Sequence, residues 1–240
     1  MTSAIARKGA ADLANAVAES VQYQGRKASR QGSEQRRQDI LDAAIRIVVR
    51  EGVRGVRHRA VAAEAAVPLS ATTYYFKDIE DLLSDAFALY VERSAAYMAK
   101  FWAGTESLLR DLLARSDDSH VSRVWLAEEI ARLTADYIQR RVLSRREQLL
   151  AEHAFRQEAL LNPRLAELVR SHQCILLQGT CQMLEVLGSR EPRQDAKVLT
   201  AIIGRMEYQA LLGSKEEHPE AEMLATLTRF MLLVLASARD

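Results

Sequence analysis

The sequence has few residues that interrupt helices. Its 240 residues include only 10 glycines and 4 prolines, and aromatic residues make up 6% of the chain. Glycine and proline disfavour helix interiors, so their scarcity, together with abundant Ala, Leu, Glu, Arg and Gln, predicts an all-α fold. A chain of this length with 48% hydrophobic residues can bury a sizeable core, in one large domain or in two smaller ones.

Cysteines and long apolar runs are also scarce. Cys174 and Cys181 are the two cysteines, and their separation along one predicted helix argues against a disulfide, while their number argues against a zinc cluster. No run of about 18 or more uncharged apolar residues occurs, so a membrane span is not expected. Asp12 and Asn15 interrupt the alanine-rich residues 10–18, so no secretory signal is expected either. A reducing cytoplasm fits this pattern.

Motifs of the common enzyme classes are missing as well. The chain has no Gly-rich phosphate loop, no G-x-S-x-G sequence and no Cys–His arrangement of a nucleophile with its base. Glu152 and His153 are adjacent, but HExxH is absent and a neighbouring Glu–His pair is usually solvated. We therefore expect neither a metal nor a cofactor, and we expect that the protein is not an enzyme.

Charge is distributed unevenly along the chain, although the net charge is only +1. Through Lys77 there are 13 Lys and Arg against 7 Asp and Glu, a balance of +6, whereas the remainder has a balance of −5. A protein that binds a polyanion needs local positive charge, because phosphate neutralisation acts over a short distance. The first third of the chain is therefore expected to bind nucleic acid. The alternative is a globular protein whose charge is uneven but which binds no polyanion.

Residues 57–77, RHRAVAAEAAVPLSATTYYFK, have the features of two short helices joined by a tight turn. Pro68 lacks an N–H, so it stops the first helix, yet it is tolerated at the start of the second. Residues 65–67 are left as the turn. The second helix, from about residue 69 to 75, presents small or hydroxylated side chains and an aromatic ring, which can reach base edges and phosphates in a DNA major groove.

The run VPLSATTYYFKDIEDLL, preceded by RAVAAEAA, resembles the DNA-binding signature of tetracycline-repressor-like (TetR family) regulators, A-G-V-x-x-g-t-x-Y-x-x-F-x-x-K-x-x-L. The resemblance covers residues 33–83. Ala66 stands where the family has Gly in the turn, which asks alanine to adopt a conformation that glycine prefers. Ile79 stands where the family has a phosphate-contacting Lys, and Lys77 is expected to substitute for it. Thr73 occupies the position of the family's first aromatic residue.

The resemblance implies roles for individual residues. It implies that Arg59 reaches a guanine edge, that Leu69, Ser70 and Ala71 face the bases, and that the other matched residues contact the DNA backbone. Those others are Arg57, His58, Thr73, Tyr74 and Lys77. The implied function is a ligand-responsive transcriptional regulator, a repressor by the family default, which binds a palindromic double-stranded operator as a homodimer.

Before this region, residues 1–32 are expected to form a flexible basic arm. Arg26, Lys27 and Arg30 lie there without an intervening acid, and such an arm can enter a minor groove or lie along phosphates. A disordered tail with no contact to DNA is the alternative. Ser33 is the expected N-cap of the next helix, which has Arg36 and Arg37 exposed in its first turns and ends at Gly52.

The predicted organisation is therefore an N-terminal three-helix helix-turn-helix domain, residues 33–77, followed by a connecting helix, 78–102, and a helical ligand-binding and dimerisation domain, 103–240. Asp78 is the expected N-cap of the connecting helix. Breaks near Gly104, 116–119, 162–163, 188–192 and 213–218 divide the rest into helices. We place these helices at residues 106–115, 121–142, 145–161, 164–187, 194–212 and 219–237.

The last two predicted helices carry broad apolar stripes, which favour a homodimer through a four-helix bundle, although an intramolecular core is the alternative. The stripes consist of Val198, Leu199, Ile202, Ile203, Met206 and Leu211 on one helix, and Met223, Leu224, Leu227, Phe230, Met231, Val234 and Leu235 on the other. Residues that mix apolar bulk with a few polar groups are typical of a cavity for a small, largely apolar effector. They are Trp102, Trp125, Tyr137, Phe155, His172, Leu176, Gln178 and Cys181.

A second function is compatible with the same sequence. The apolar final helices could bind a protein partner, which would make the chain a helical interaction module without specific DNA binding. The failure of the protein to bind random duplex DNA at low salt would favour that alternative, whereas a palindromic protected site would favour the regulator.

Overall fold

The computed structural model describes residues 12, 23–26, 31–117, 119–213 and 220–237. From residue 31 onward these ranges hold nine α-helices and no strand, which confirms the predicted all-α fold class. A 3₁₀ turn, Val53–Gly55, lies between the first two helices. The helices are α1 Gln31–Glu51, α2 His58–Glu64, α3 Leu69–Tyr75, α4 Ile79–Arg115, α5 His120–Ser144, α6 Arg146–Glu158, α7 Pro163–Val186, α8 Pro192–Leu212 and α9 Glu220–Ser237.

The predicted break at Gly104 is wrong. Helix α4 runs through Gly104 without interruption for 37 residues, so the predicted helix 106–115 is its last part. A single glycine in a helix interior costs about 1 kcal/mol relative to alanine. The side chains of Leu109 and Leu112 are buried beyond it, and their burial offsets that cost.

Of the two predicted N-caps, Asp78 is confirmed and Ser33 is wrong. The side chain of Asp78 accepts a 2.8 Å hydrogen bond from the backbone N–H of Asp81, so it caps α4 as predicted. Helix α1 instead begins at Gln31, two residues before the predicted cap, so residues 31 and 32 are helical and do not belong to the flexible arm predicted for residues 1–32. The Ser33 hydroxyl is 2.7 Å from the hydroxyl of Tyr75, with which it forms a hydrogen bond.

The helix-turn-helix geometry depends on two residues with positive φ. Gly52 (φ 74°) ends α1, and its N–H donates to the carbonyl of Val48 at 3.0 Å. Ala66 (φ 53°) forms the turn between α2 and α3, in the left-handed region that glycine enters more easily. The turn is therefore built as the sequence predicted, with alanine in the conformation expected of the family's glycine.

The chain divides into two compact units that differ from the predicted domains. One unit, here called the head unit, combines Ala16–Ala96 with Glu147–Gln173. The other, here called the bundle unit, combines Met1–Asn15, Tyr97–Arg146 and Cys174–Asp240. Helices α4 and α7 each contribute to both units. The functional boundaries at residues 77 and 102 stay a prediction.

In the head unit, α2 packs against both α1 and α3. The side chains of Ile40, Leu41, Ile47, Val61 and Phe76 are buried there. In the bundle unit, α5 packs mainly against α9, and α8 contacts both of them. Its core is apolar and includes Ile130, Ile138, Leu184, Leu199, Leu227 and Met231. Among the helices in the described ranges, none is both long and apolar enough to cross a membrane.

Candidate DNA-contacting surface and effector site

Helix α3 has one face packed into the head unit and one face open. Pro68 is its N-cap in an extended conformation, so the missing N–H of proline leaves no helix hydrogen bond unmade. Thr72 and Tyr75 are buried, with the Thr72 hydroxyl donating to the carbonyl of Leu69 at 2.8 Å. The ring of Tyr74, on the opposite face, is 54% exposed.

The predicted DNA-contacting residues lie on this open side of the helix-turn-helix segment or at the start of α2. Seven are exposed and two, His58 and Ala71, are partly buried. The seven exposed residues are Arg57, Arg59, Leu69, Ser70, Thr73, Tyr74 and Lys77. Because these side chains are exposed to solvent, a DNA duplex could contact them. The role of each residue stays a prediction.

Ion pairs fasten α2 to α1. The carboxylate of Glu64, at the end of α2, accepts hydrogen bonds from Arg46 at 2.7 Å and from Arg50 at 2.9 Å. These two hydrogen bonds lower the pKa of Glu64 below its usual value. The end of α2 is thus held beside α1 by charge as well as by its buried alanine and valine side chains.

The predicted exposure of Arg37 is wrong. Arg37 is only 4% exposed, and its guanidinium donates a 2.7 Å hydrogen bond to Asp85, a fully buried carboxylate on α4. Arg36, its neighbour, is exposed as predicted. Sequence reasoning did not identify Asp85, although an acid beside the buried positions Leu82 and Ala86 was a signal that a buried charge needs a partner.

Six of the eight predicted effector residues belong to the bundle unit. The indole of Trp102 is 8% exposed, and its Nε1 atom is buried without a hydrogen-bond partner. Tyr137 is buried, and its ring centroid lies 4.7 Å from that of Phe101, the neighbour of Trp102. Trp125 and Cys181 pack against the bundle core, Leu176 is partly buried and Gln178 is exposed.

Phe155 and His172 belong to the head unit, where a dense polar and aromatic cluster surrounds them. The ring of Phe155 stacks on that of Phe87 at a centroid distance of 4.5 Å. His172 Nε2 is 2.8 Å from the Ser94 hydroxyl. Glu152, also buried, accepts a 2.7 Å hydrogen bond from the Tyr90 hydroxyl. The structure thus assigns the predicted effector residues to two separate groups, each described within its own unit.

Of the large apolar residues that the last two helices expose, only Val198 belongs to the apolar stripes predicted from the sequence. Leu199, Leu227 and Met231 are fully buried, so they belong to the core of the bundle unit rather than to a free surface. The large apolar residues that α8 leaves exposed are Val198, Tyr208 and Leu212, which recur at helical spacing. On α9, Leu233 is 54% exposed.

Comparison with known proteins connects this geometry to one family. Residues 125–232 match the family described as Tetracyclin repressor-like, C-terminal domain. The HTH-type transcriptional regulator AcrR of Shigella flexneri is 32% identical over 114 residues, which are 46% of this chain. The chain spans about half the length of that curated relative, 51%.

Solved structures extend the similarity over most of the chain. A TetR family member from Streptomyces coelicolor A3 is 30% identical, with a TM-score of 0.56, and the match covers 82% of this chain and 98% of that one. The multidrug binding protein EbrR complexed with malachite green is 28% identical, with a TM-score of 0.54 and the same two coverages, 82% and 98%. Members of this family are regulators rather than enzymes. The chain belongs to the TetR family of transcriptional regulators.

Proposed function

We propose that this protein is a ligand-responsive repressor that binds a palindromic DNA operator as a homodimer and leaves it when a small, largely apolar effector binds. The observation that carries the proposal is the open face of α3, where Leu69, Ser70 and Tyr74 are exposed at the end of a helix-turn-helix segment. A short helix with exposed small, hydroxyl and aromatic side chains suits a major groove.

Electrostatics support the same surface. Arg57, Arg59 and Lys77 are exposed around α2 and α3, and the chain through Lys77 carries a balance of +6. Cations placed this way neutralise phosphates and release counterions, which supplies sequence-independent affinity. The base-facing residues of α3 then add the discrimination among sequences.

The proposed homodimer uses the exposed side of α8 and α9. Val198, Tyr208 and Leu212 on α8 and Leu233 on α9 are exposed, while the opposite sides of both helices fill the bundle core. A second copy of the chain would cover these residues, since a twofold interface pairs the same patch with itself. Two heads held in this way would meet successive half-sites of a palindrome.

The proposed effector site is centred on Trp102. Its buried indole N–H has no partner, and an unpaired buried donor is costly unless something supplies an acceptor. We therefore propose an aromatic or aliphatic effector with one hydrogen-bond acceptor, bound near Trp102, with Trp125, Tyr137, Leu176 and Cys181 as further candidate contacts. An effector that prefers the form of the dimer unable to span the operator shifts the population off DNA.

DNA selection tests the main proposal. Purified protein is mixed with fragments of its own genome, and the retained DNA is sequenced and then footprinted. The expected result is one enriched palindrome whose half-sites are separated by a whole number of helical turns, each about 10 base pairs. Retention of no DNA, even at about 50 mM salt, would contradict the proposal and favour the helical protein-interaction module.

Effector release is tested separately on the recovered operator. Malachite green is a first probe, because EbrR is seen with that dye and resembles this chain over 82% of its length. Binding is followed by quenching of tryptophan fluorescence, and release by the loss of the DNA complex. A ligand that binds while operator affinity stays unchanged contradicts the coupling for that ligand.

A further inference from the structure

Residues 23–26, which precede the helix-turn-helix segment, are docked on the head unit by backbone hydrogen bonds. The N–H groups of Gln24 and Gly25 donate to the two carboxylate oxygens of Asp85 at 2.6 and 2.9 Å. The N–H of Arg26 donates to the carbonyl of Tyr75, at the end of α3, at 2.9 Å. This short segment, here called the docked arm, therefore runs from a buried acid to the end of the DNA-facing helix.

The docking is specific because a buried charge requires it. Asp85 is fully buried and receives a third hydrogen bond from Arg37, whose guanidinium also lies 4.4 Å from the centre of the Tyr23 ring. A buried carboxylate is tolerated only when it is paired and its oxygens are hydrogen-bonded. The arm supplies two of the three donors just described, so removing it would leave the Asp85 Oδ1 atom with none of them and the Oδ2 atom with Arg37 alone.

This arrangement leaves no room for a side chain at position 25. A Cβ atom on Gly25 would lie 2.8 Å from the Asp85 Oδ2 atom and 2.8 Å from the Phe76 ring. Both distances are shorter than non-bonded contacts allow, and the Phe76 ring is fully buried. Glycine therefore lets the arm backbone approach the carboxylate closely.

The docked arm places a cation on the DNA-facing side of the head. The guanidinium of Arg26 lies 4.4 Å from the centre of the Tyr74 ring, within the range of a cation–π interaction. Both side chains are exposed, and Tyr74 is one of the residues expected to contact the DNA backbone. Stacking on this ring restricts the guanidinium, so less side-chain entropy is lost when it pairs with a phosphate.

We propose that the docked arm is part of the DNA interface and that Arg26 binds a phosphate of the duplex beside Tyr74, with Asp85 holding the arm in position. This inference rests on the proposed DNA-binding function and adds a residue outside the segment that resembles the family signature. The continuation of the arm, with Lys27 and Arg30, lies outside the described residues. We predict that Arg26 adds one phosphate contact to the DNA interface, and that this contact does not depend on the DNA sequence.

The substitution Arg26→Ala tests the contact. Affinity is measured on a random-sequence duplex across a salt series. At about 0.15 M salt the expected loss is about fivefold, and the slope of log K against log salt becomes shallower by about 0.9, as for one lost phosphate contact. The matched control is Arg170→Ala, which removes the same charge from an exposed residue of α7 paired with Glu167. The control is expected to keep the wild-type slope.

The substitution Gly25→Ala tests the positioning. It displaces the arm without changing charge, so it is expected to reproduce the affinity loss and the shallower slope of Arg26→Ala. Gly32→Ala is the matched control, because a Cβ atom at Gly32 meets nothing within 4 Å. The double variant Gly25→Ala with Arg26→Ala is expected to lose no more than either single variant, since both remove the same contact.

The outcomes separate this inference from the proposed function. Wild-type protein that fails to bind DNA would overturn the DNA-binding proposal itself. If wild-type protein binds and Arg26→Ala keeps the wild-type slope, the arm contact is refuted while the regulator stands. A lower unfolding midpoint for Arg26→Ala with an unchanged slope would show that Arg26 only stabilises the head, and this too would refute the contact.

Discussion

The indole of Trp102 lies directly against the backbone of α7 at Gly179. A Cβ atom added at Gly179 would lie 2.2 Å from Cε2 of that ring and 2.3 Å from its Nε1 atom. A ring can lie this close to a helix backbone only where the facing residue has no Cβ atom. The position of the Trp102 indole N–H, the proposed hydrogen-bond donor to the effector, therefore depends on Gly179 of α7.

Gly179→Ala is expected to destabilise the protein by about 1–3 kcal/mol, because the methyl group overpacks a filled site and moves the indole. The free energy of unfolding and the tryptophan emission are measured together. Gly104→Ala is the control, since Gly104 lies in the exposed interior of α4 with open space around its Cα. That variant is expected to be about 1 kcal/mol more stable. Equal effects of the two variants would contradict the close contact.

Ala66→Gly is expected to stabilise the head. The left-handed conformation costs alanine about 1–2 kcal/mol at φ 53°, whereas glycine there is disfavoured mainly by the larger entropy of its unfolded chain, by about 0.4–1 kcal/mol. The net gain is roughly 0.5–1 kcal/mol, measured by chemical denaturation. Ala63→Gly, at an exposed position within α2, is expected to cost about 1 kcal/mol instead. A destabilised Ala66→Gly variant would contradict strain at the turn.

The ion pairs of Glu64 predict a pH dependence. The pKa of Glu64 is lowered in the folded state by Arg46 and Arg50, so its contribution to stability is present above the unfolded-state pKa of about 4.3. The contribution is lost as pH falls through the lowered folded-state pKa. Glu64→Gln is therefore expected to reduce the thermal midpoint at neutral pH and to converge with wild type under acid conditions. A difference that is constant with pH would contradict this linkage.

The homodimer is tested at Leu233. Leu233→Glu places a charge on the exposed side of α9, where the proposed partner copy would bury it, so dissociation to monomers is expected at micromolar protein. Analytical ultracentrifugation gives the dimer dissociation constant. Val121→Glu is the control, because Val121 is also exposed in the bundle unit and lies outside α8 and α9. Loss of the dimer in both variants, or in neither, would argue against this interface.

Base and phosphate contacts are expected to respond differently to substitution. Arg59→Ala is expected to cost about 1–3 kcal/mol on the operator and to relax one base preference, because guanine recognition by arginine is directional. Lys77→Ala is expected to weaken all sequences alike and to flatten the salt dependence. Binding of both variants to operator and random duplexes separates the roles, and uniform loss in both would refute the division.

Local sequence signals predicted most of the helices and the turn. Asp78, Gly52 and Pro68 act through hydrogen bonds and φ angles within a few residues, so their effects could be predicted without the rest of the chain. Gly104 could not be interpreted in that way, because whether a glycine breaks a helix depends on the burial of residues beyond it. The prediction that Ser33 is an N-cap failed for a related reason, because its hydroxyl forms a hydrogen bond with Tyr75 rather than with its own helix.

The sequence by itself determined the helical fold, the helix-turn-helix segment and the alanine that occupies a left-handed turn, because spacing and local conformational preference encode all three. Only the tertiary structure decided that Arg37 is buried against Asp85, that Gly25 and Arg26 dock beside α3, and which sides of α8 and α9 stay exposed. Each of these depends on groups far apart in the chain. These features depend on how the helices pack, so they cannot be predicted from a local sequence pattern.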